Sequence, residues 1–141
     1  MTVEEAVIDR LVTTAGVTAL VGTRVYQFVL PQKPTLPAIR VQLVSDPRSY
    51  HLRGVNGLER SRVQVDAYAA VTSGSDPYAS AEAVADAIDT ALSGVAFETS
   101  DSPSSRAVTA SFRITRMPIY ESEELRQVRM LQDFDVWSRP M

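Results

Sequence analysis

The chain has 141 residues, a formal net charge of −3 and no cysteine. This length predicts one domain whose core needs no disulfide or metal, and the lack of cysteine excludes thiolate zinc sites and a cysteine nucleophile. The acidic balance argues against a dedicated nucleic-acid binder, because phosphate affinity comes mainly from clustered Lys and Arg. No apolar run approaches the ~20 residues that span a bilayer, and the first residues lack a signal-peptide pattern, so we expect no membrane contact and a cytoplasmic protein.

The first element predicted is an amphipathic helix. Thr2 and Glu5 have the spacing of a capping box, and apolar residues then recur at helical spacing up to a stop near Gly16. A short turn, "VTALVG", and a small strand, "RVYQF", should follow.

Three prolines then stand at a spacing of three in "LPQKPTLP", at Pro31, Pro34 and Pro37. Proline can neither continue a helix nor donate to a strand ladder, and it stiffens an extended segment. The segment is therefore either a rigid strap or an ordinary crossover loop. We expect a strap, in which Leu36 is buried while Lys33 stays in water.

Two alternating segments, "IRVQL" and "RVQVDA", predict half-buried strands because side chains alternate between the two faces of a sheet. Residues 46–60 between them are too many for a tight turn, so the pair is interpreted as a hairpin with a protruding loop. Asn56-Gly57 is typical of a turn within that loop.

The second half contains the clearest helix pattern. Asp76 is placed as N-cap, Pro77 as the first helical residue and Gly94 just past the end. A polar loop from Phe97 to Arg106 should follow, and two further strands, "VTASFRI" and "MLQDFDVWS", complete the chain.

These elements predict an α+β fold, a single domain over residues 1–141. We expect a mostly antiparallel sheet of four to five strands with two helices packed on one face.

Residues typical of catalysis or cofactor binding are scarce. His51 is the only histidine, and the sequence has no Gly-rich loop with a lysine opening a helix, as phosphate binding requires. Glu121, Glu123 and Glu124 could coordinate a metal in principle, but adjacent acids in a turn are typical of a solvated surface. We therefore expect no catalytic, cofactor-binding or metal-binding residue, and no enzyme. A small-molecule hydrolase that uses His51 is a minor alternative.

A resemblance emerges from five ordered segments. They are "VTALVGTRVYQFVLPQ", "LPAIRVQLVS", "RVQVDAYA", "AEAVADAIDTAL" and "QDFDVWS". In this order they resemble the bacteriophage tail-completion family, also called tail terminators or tail-to-head joining proteins.

The resemblance implies a small structural subunit in a homo-oligomeric ring, commonly of six copies. Such a ring caps the tail tube, binds the head connector or stopper protein, and lets DNA pass without sequence-specific binding. It would be made in the bacterial host cytoplasm and would reside in the tail or neck of the virion. Alternatives are a head-side connector or stopper protein of the phage neck, and a non-phage bacterial binding module.

Candidate interface residues follow from residue type and position. Thirteen of the 14 basic residues are arginine, which is enriched at protein interfaces, although a GC-rich genome gives the same bias. The loop that contains Arg48, His51, Arg53, Arg60 and Arg62 carries five potentially cationic residues, and we call it the cationic loop. It is expected to face the ring lumen or the tail tube, or else to be a solvated outer loop.

Asp133 and Asp135 alternate with core residues and are expected on the outer, polar face of the last strand, either solvated or paired with arginine from a neighbour. Trp137 is expected on the same face, buried either within the monomer or between subunits. The full set of interface candidates is Leu36, Arg48, Arg53, Arg60, Arg62, Asp133, Asp135 and Trp137.

Overall fold

The computed structural model describes residues 2–48, 50–55, 57–71, 76–99, 106–121 and 126–140. The elements are, in chain order, α1 (Val3–Val12), α2 (Ala15–Val21), β1 (Val25–Gln27), β2 (Ala38–Ser45), β3 (Tyr50–His51), β4 (Gly54–Val55), β5 (Glu59–Ala70), α3 (Pro77–Leu92), β6 (Phe97–Glu98), β7 (Arg106–Tyr120) and β8 (Gln127–Pro140). Within these described ranges, no helix combines the length and apolar composition needed to cross a bilayer.

The first helix begins as expected but ends early. Thr2 N–H donates to Glu5 Oε2 at 2.8 Å, and Glu5 N–H donates to Thr2 Oγ1 at 3.2 Å, which confirms the capping box. The hydroxyls of Thr13 and Thr14 then donate back to the carbonyls of Asp9 and Arg10, at 2.7 and 2.6 Å. Such back-bonding competes with helix continuation. Helix α1 therefore ends at Val12, and the predicted end near Gly16 was wrong. The segment "VTALVG", predicted as a turn, lies mostly in a second helix, α2.

The main sheet has the strand order β1-β2-β5-β8-β7-β6, and β3 and β4 form a separate two-stranded sheet. All neighbours in the main sheet are antiparallel except β1 and β2, which are parallel. The prediction of four to five mostly antiparallel strands with two helices was therefore wrong. The molecule has a curled, mixed six-stranded sheet with three helices.

The proline segment explains the parallel pair. Residues 28–37 carry the chain from the end of β1 back to the start of β2, so the two strands run in the same direction. Arg24 Nε donates to the Pro37 carbonyl at 2.9 Å and fastens the end of this segment. Lys33 is exposed as expected, whereas Leu36 is half-buried and not fully buried. The segment connects two parallel strands, as a crossover loop would, so its role as a strap stays a prediction.

The long helix α3 has the predicted ends. The Asp76 side chain accepts a hydrogen bond from Ala79 N–H at 3.1 Å, and Pro77 occupies the first turn. Gly94 has φ of 70° and donates its N–H to the Ser111 carbonyl at 2.7 Å. This contact ties the end of α3 to β7.

The core lies between the three helices and one face of the sheet. Helix side chains such as Leu11, Val21 and Ile88 join one buried cluster with strand side chains such as Val65 and Phe134. Because side chains alternate along each strand, the same strands send every other side chain to the opposite face. We call that opposite side of the sheet the open face.

Candidate interaction surface

The open face carries rows of paired charges. Arg40 Nη2 lies 2.7 Å from Asp66 Oδ2 and Arg62 Nη2 lies 2.7 Å from Asp133 Oδ2, while Arg60 Nη2 lies 2.9 Å from Asp135 Oδ2. We call this set of paired charges the ionic lattice. Its members are Arg40, Arg60, Arg62, Asp66, Arg129, Asp133 and Asp135. Each pair joins neighbouring strands, so the lattice cross-links β2, β5 and β8 on the side away from the helices.

Asp66 is the buried centre of this lattice. Its side chain is fully buried and contacts Arg40 on β2 and, at 3.8 Å, Arg129 on β8. Burial raises the pKa of Asp66, and hydrogen bonds from Gln64 and Arg40 oppose that rise. Burial likewise raises the pKa of Tyr68, the buried phenol two residues further along β5.

Trp137 lies on the open face beside Ala110 and Arg60 of the neighbouring strands. The Arg60 guanidinium carbon is 5.3 Å from the centre of the indole ring. Arg60 Nε also donates to both carboxylate oxygens of Asp135, at 3.0 and 3.1 Å. The acid thus holds the guanidinium over the ring, where a cation–π contact is favourable.

Three apolar side chains of β7, Phe112, Ile114 and Met117, project about half-exposed, at 52, 51 and 49%. We call them the apolar stripe. Phe112 pairs with Asp135, and Met117 pairs with Leu131, which places the stripe on the edge of the open face. A contiguous exposed apolar patch rimmed by charged residues is typical of a protein interaction site.

The structure brings together five of the eight predicted interface residues. Arg60, Arg62, Asp133, Asp135 and Trp137 all lie on the open face. Asp133 and Asp135, expected on the outer face of the last strand, are paired there with arginines of the adjacent strand.

The other three predicted residues lie elsewhere. Leu36 belongs to the proline strap, and the exposed Arg48 and Arg53 lie in the protruding loop that contains β3 and β4. Asn56, at the expected turn of that loop, is outside the described residues.

Sequence reasoning missed the apolar stripe. The alternation of Val108, Ala110, Phe112 and Ile114 suggested one shared face, but the strand register shifts between Val108 and Ala110 and again between Arg113 and Thr115. The first shift leaves Val108 buried at 1% exposure and turns Phe112 to the open face. A bulge of this kind adds one residue to one strand, which a simple alternation pattern does not reveal.

The residues that the sequence offered for catalysis or metal binding lie in two places. His51 lies on the exposed β3–β4 hairpin, where its Nδ1 accepts a hydrogen bond from Arg53 N–H at 3.1 Å. Glu121 Oε1 lies 3.2 Å from Arg129 Nε, while Glu123 and Glu124 are outside the described residues. In the part of the chain that the structure describes, no three His, Asp or Glu side chains are grouped closely enough to hold a metal ion.

Comparison with known families gives a match over almost the whole chain. Residues 5–139 match the family described as tail completion protein gp17. The chain belongs to this family of phage tail completion proteins. It is therefore a structural protein of a phage tail, as the resemblance in the sequence implied.

The fold has a relative among solved structures. A chain in the structure titled "Virion of native gene transfer agent (GTA) particle" is 20% identical, with a TM-score of 0.67 over 97% of this chain and 94% of that one. At this identity the likeness shows the fold alone. A comparison of this chain with curated proteins gives no match.

Proposed function

We propose that the protein is a tail terminator, a homo-oligomeric ring that caps the finished tail tube and joins the tail to the head connector. Membership of the tail completion family supports this role. The similar fold of a chain in a gene transfer agent particle supports a place in the virion tail or neck. The role is structural rather than catalytic, and DNA passes through the ring without being read.

The observation that carries the proposal is the open face with its apolar stripe. Phe112, Ile114 and Met117 remain half-exposed beside the Arg60–Trp137 stack. Fully burying a side chain of this size contributes about 1.5–3 kcal/mol, so covering the exposed halves would add roughly 1 kcal/mol each. Tryptophan and arginine are also the residue types that most often dominate binding energy at an interface.

The charges of the open face suit such a contact. The arginines and aspartates of the lattice neutralise each other within the chain at 2.7–2.9 Å for the three close pairs. A partner that covers this face therefore does not leave an unpaired charge buried, which is the costly case. If these charges were unpaired within the chain, burying them under a partner would cost desolvation free energy.

A joining assay distinguishes the terminator from a head-side stopper protein. Purified protein is added separately to isolated tail tubes and to DNA-filled heads, each taken from particles that lack this subunit, and the two are then mixed. We expect binding to tail tubes and the subsequent appearance of joined particles in electron micrographs. Binding to heads and not to tubes would assign the protein to the head-side connector instead, and binding to neither would contradict a joining role.

A further inference from the structure

The β3–β4 hairpin projects from the fold with an uncovered tip. Its two strands pair with each other and belong to no larger sheet. Leu52 in the turn is fully exposed, at 107%, and Tyr50 is 70% exposed. A lone two-stranded hairpin is marginally stable in water, so a partner surface that covers the tip would stabilise it.

The hairpin also carries unpaired positive charge. Residues 47–58 include Arg48 and Arg53 and no acidic residue. Both arginines are exposed, and neither forms an ion pair with the residues that the structure describes. The acids on either side are engaged elsewhere, since Asp46 accepts a hydrogen bond from a hydroxyl of β5 and Glu59 forms an ion pair with an arginine of β7. The tip therefore fits a surface of opposite charge.

The outer face of helix α3 has that opposite charge. From Pro77 to Leu92 the helix contains the acids Glu82, Asp86 and Asp89 and no Lys, Arg or His. Asp86 and Asp89 pair with arginines of β7 at 2.7 and 3.3 Å, but 63% of the Asp86 side chain stays exposed. Glu82 is exposed and forms no ion pair within the described ranges.

Small side chains allow close approach to this acidic face. Ala79 and Ala83 are both exposed, and residues four apart are neighbours on one side of a helix. Ala83 directly follows Glu82 on the helix, just as Arg53 directly follows Leu52 in the hairpin turn. A leucine seated on Ala83 therefore brings the adjacent arginine toward the Glu82 carboxylate.

The hairpin and the outer face of α3 lie on opposite sides of one copy. Pro47, at the base of the hairpin, lines a cleft of the open face together with Ile114 and Asp135. Helix α3 packs on the other face of the sheet, where side chains such as Ile88 join the core. Because the sheet separates the two surfaces, a contact between them is a contact between copies.

We propose that the hairpin tip of one copy docks on the outer face of α3 in a second copy, with Leu52 against Ala83 and Arg53 paired with Glu82. Charge complementarity selects this occupant, because one surface has unpaired arginines and the other has an unpaired glutamate beside an exposed aspartate. The chain thus carries both halves of the contact.

This contact joins two different surfaces, a tip and a helix face. A contact of that kind is head-to-tail and builds a closed ring when the rotation between copies closes. The open face borders the hairpin, so it too would be directed toward the helices of the neighbouring copy. The contact rests on the proposed ring and identifies the surfaces by which neighbouring subunits meet.

An exchange of charges tests the Arg53–Glu82 pair through the mass of the native assembly. Arg53→Glu and Glu82→Arg should each lower the ring population about tenfold, because each variant places like charges opposite each other at every contact of the ring. The double variant Arg53→Glu/Glu82→Arg restores opposite charges and should recover the ring population to within about twofold of the wild type. The matched control is Lys33→Glu/Glu82→Arg, which makes the same changes of charge with the first one on the proline strap. Its ring population should stay as low as that of Glu82→Arg alone.

Introduced thiols test the contact of Leu52 with Ala83 independently, because the chain contains no cysteine. Leu52→Cys and Ala83→Cys would be mixed under conditions where rings form and then oxidised. We expect a covalent dimer at about ten times the yield of either variant alone, because docking raises the effective concentration of the two thiols. Leu52→Cys mixed with Leu20→Cys, which is on α2, should give no such dimer. Glu82→Cys replaces Ala83→Cys if circular dichroism shows that the latter is misfolded.

Three outcomes would overturn this contact while leaving the proposed ring intact. The first is full-mass rings with no cross-link in the mixture. The second is a ring population that the single charge reversals leave unchanged, or that they lower without recovery in the double variant. The third is Arg53→Glu rings that form normally but fail to join tails or to retain DNA, which would assign the hairpin to another component of the virion. A wild-type protein that forms no ring, with or without tail tubes, would instead defeat the proposed function and this contact with it.

Discussion

At the scale of single residues, Asp66 shows how burial and pairing compete. It lies on β5 between Arg40 of β2 and Arg129 of β8, so one carboxylate links three strands. Burial raises the pKa of Asp66 despite the hydrogen bonds from Gln64 and Arg40. The folded chain then holds a proton on Asp66 at pH values where the unfolded chain has lost it. The contribution of Asp66 to stability is therefore greatest at low pH and falls as pH rises through the folded pKa.

The comparison with Asp66→Asn tests this sign. We expect the unfolding free energy of the wild type, minus that of Asp66→Asn, to decrease from about pH 4, near the ordinary aspartate pKa, toward neutral pH. Denaturant unfolding of both proteins over this range gives the difference directly. A difference that grows with rising pH would mean that the ion pairs, and not burial, control the pKa of Asp66.

Trp137 is a second residue with a measurable role. Because Arg60 stacks over its ring at 5.3 Å on the open face, we expect it to act as an interface anchor. Trp137→Ala should weaken subunit association by about 2 kcal/mol or more, the usual size for an anchor residue, which corresponds to roughly 30-fold in dissociation constant. The matched control is Tyr78→Ala, which removes a 48%-exposed aromatic from α3. Equal effects of the two changes on the concentration dependence of assembly mass would refute a special role for Trp137.

At the scale of elements, the proline strap is the connection between two parallel strands. Leu36 is half-buried in it, whereas Lys33 is exposed and has φ of 83°, a left-handed conformation that aspartate tolerates better than lysine. Leu36→Asp should therefore lower the thermal midpoint and the ring population, and Lys33→Asp should leave both nearly unchanged. If both changes prove equally harmless, the strap is a passive loop.

The cationic loop is the other element with a proposed role. Arg53 is exposed at the hairpin, and Arg60 is paired with Asp135 where the loop enters β5. In a ring, one such loop per subunit would concentrate positive charge near the lumen or the tail tube. We expect Arg53→Glu and Arg60→Glu to reduce the yield of infectious particles, the second more strongly because its new carboxylate would repel Asp135.

Lys33→Glu is the control for those charge reversals. It makes the same change of charge at an exposed position of the strap. Infectious yields that are equal for Arg53→Glu, Lys33→Glu and the wild type would show that the loop is a solvated outer loop.

At the scale of the whole molecule, the helix N-termini could be predicted from the sequence, whereas the pairing of the strands could not. The capping box at Thr2 and the N-cap at Asp76 depend on neighbouring residues, so the sequence alone was sufficient to locate them. The parallel partner of β1 depends on where residues 28–37 return the chain, and the two-residue strand β6 depends on pairing with β7. Such long-range pairings leave little trace in local periodicity.

The interaction surface also has a part that the sequence predicted and a part that it did not. Alternation placed Asp133, Asp135 and Trp137 on the outer side of the last strand, and they lie on the open face. The stripe of Phe112, Ile114 and Met117 was missed because two register shifts in β7 change which side chains face outward. Prediction from one sequence therefore found the charged half of the surface and not its apolar half.

The central claim is that copies of this chain close into a ring, and the mass of the native assembly tests it most directly. Native mass spectrometry would be recorded over increasing concentration, with and without isolated tail tubes, and paired with negative-stain images. We expect one closed species of defined copy number, commonly six, at high concentration or on the tubes. A strictly monomeric protein at the highest concentration, which also fails to join tails in an assembly-deficient lysate, would contradict the claim.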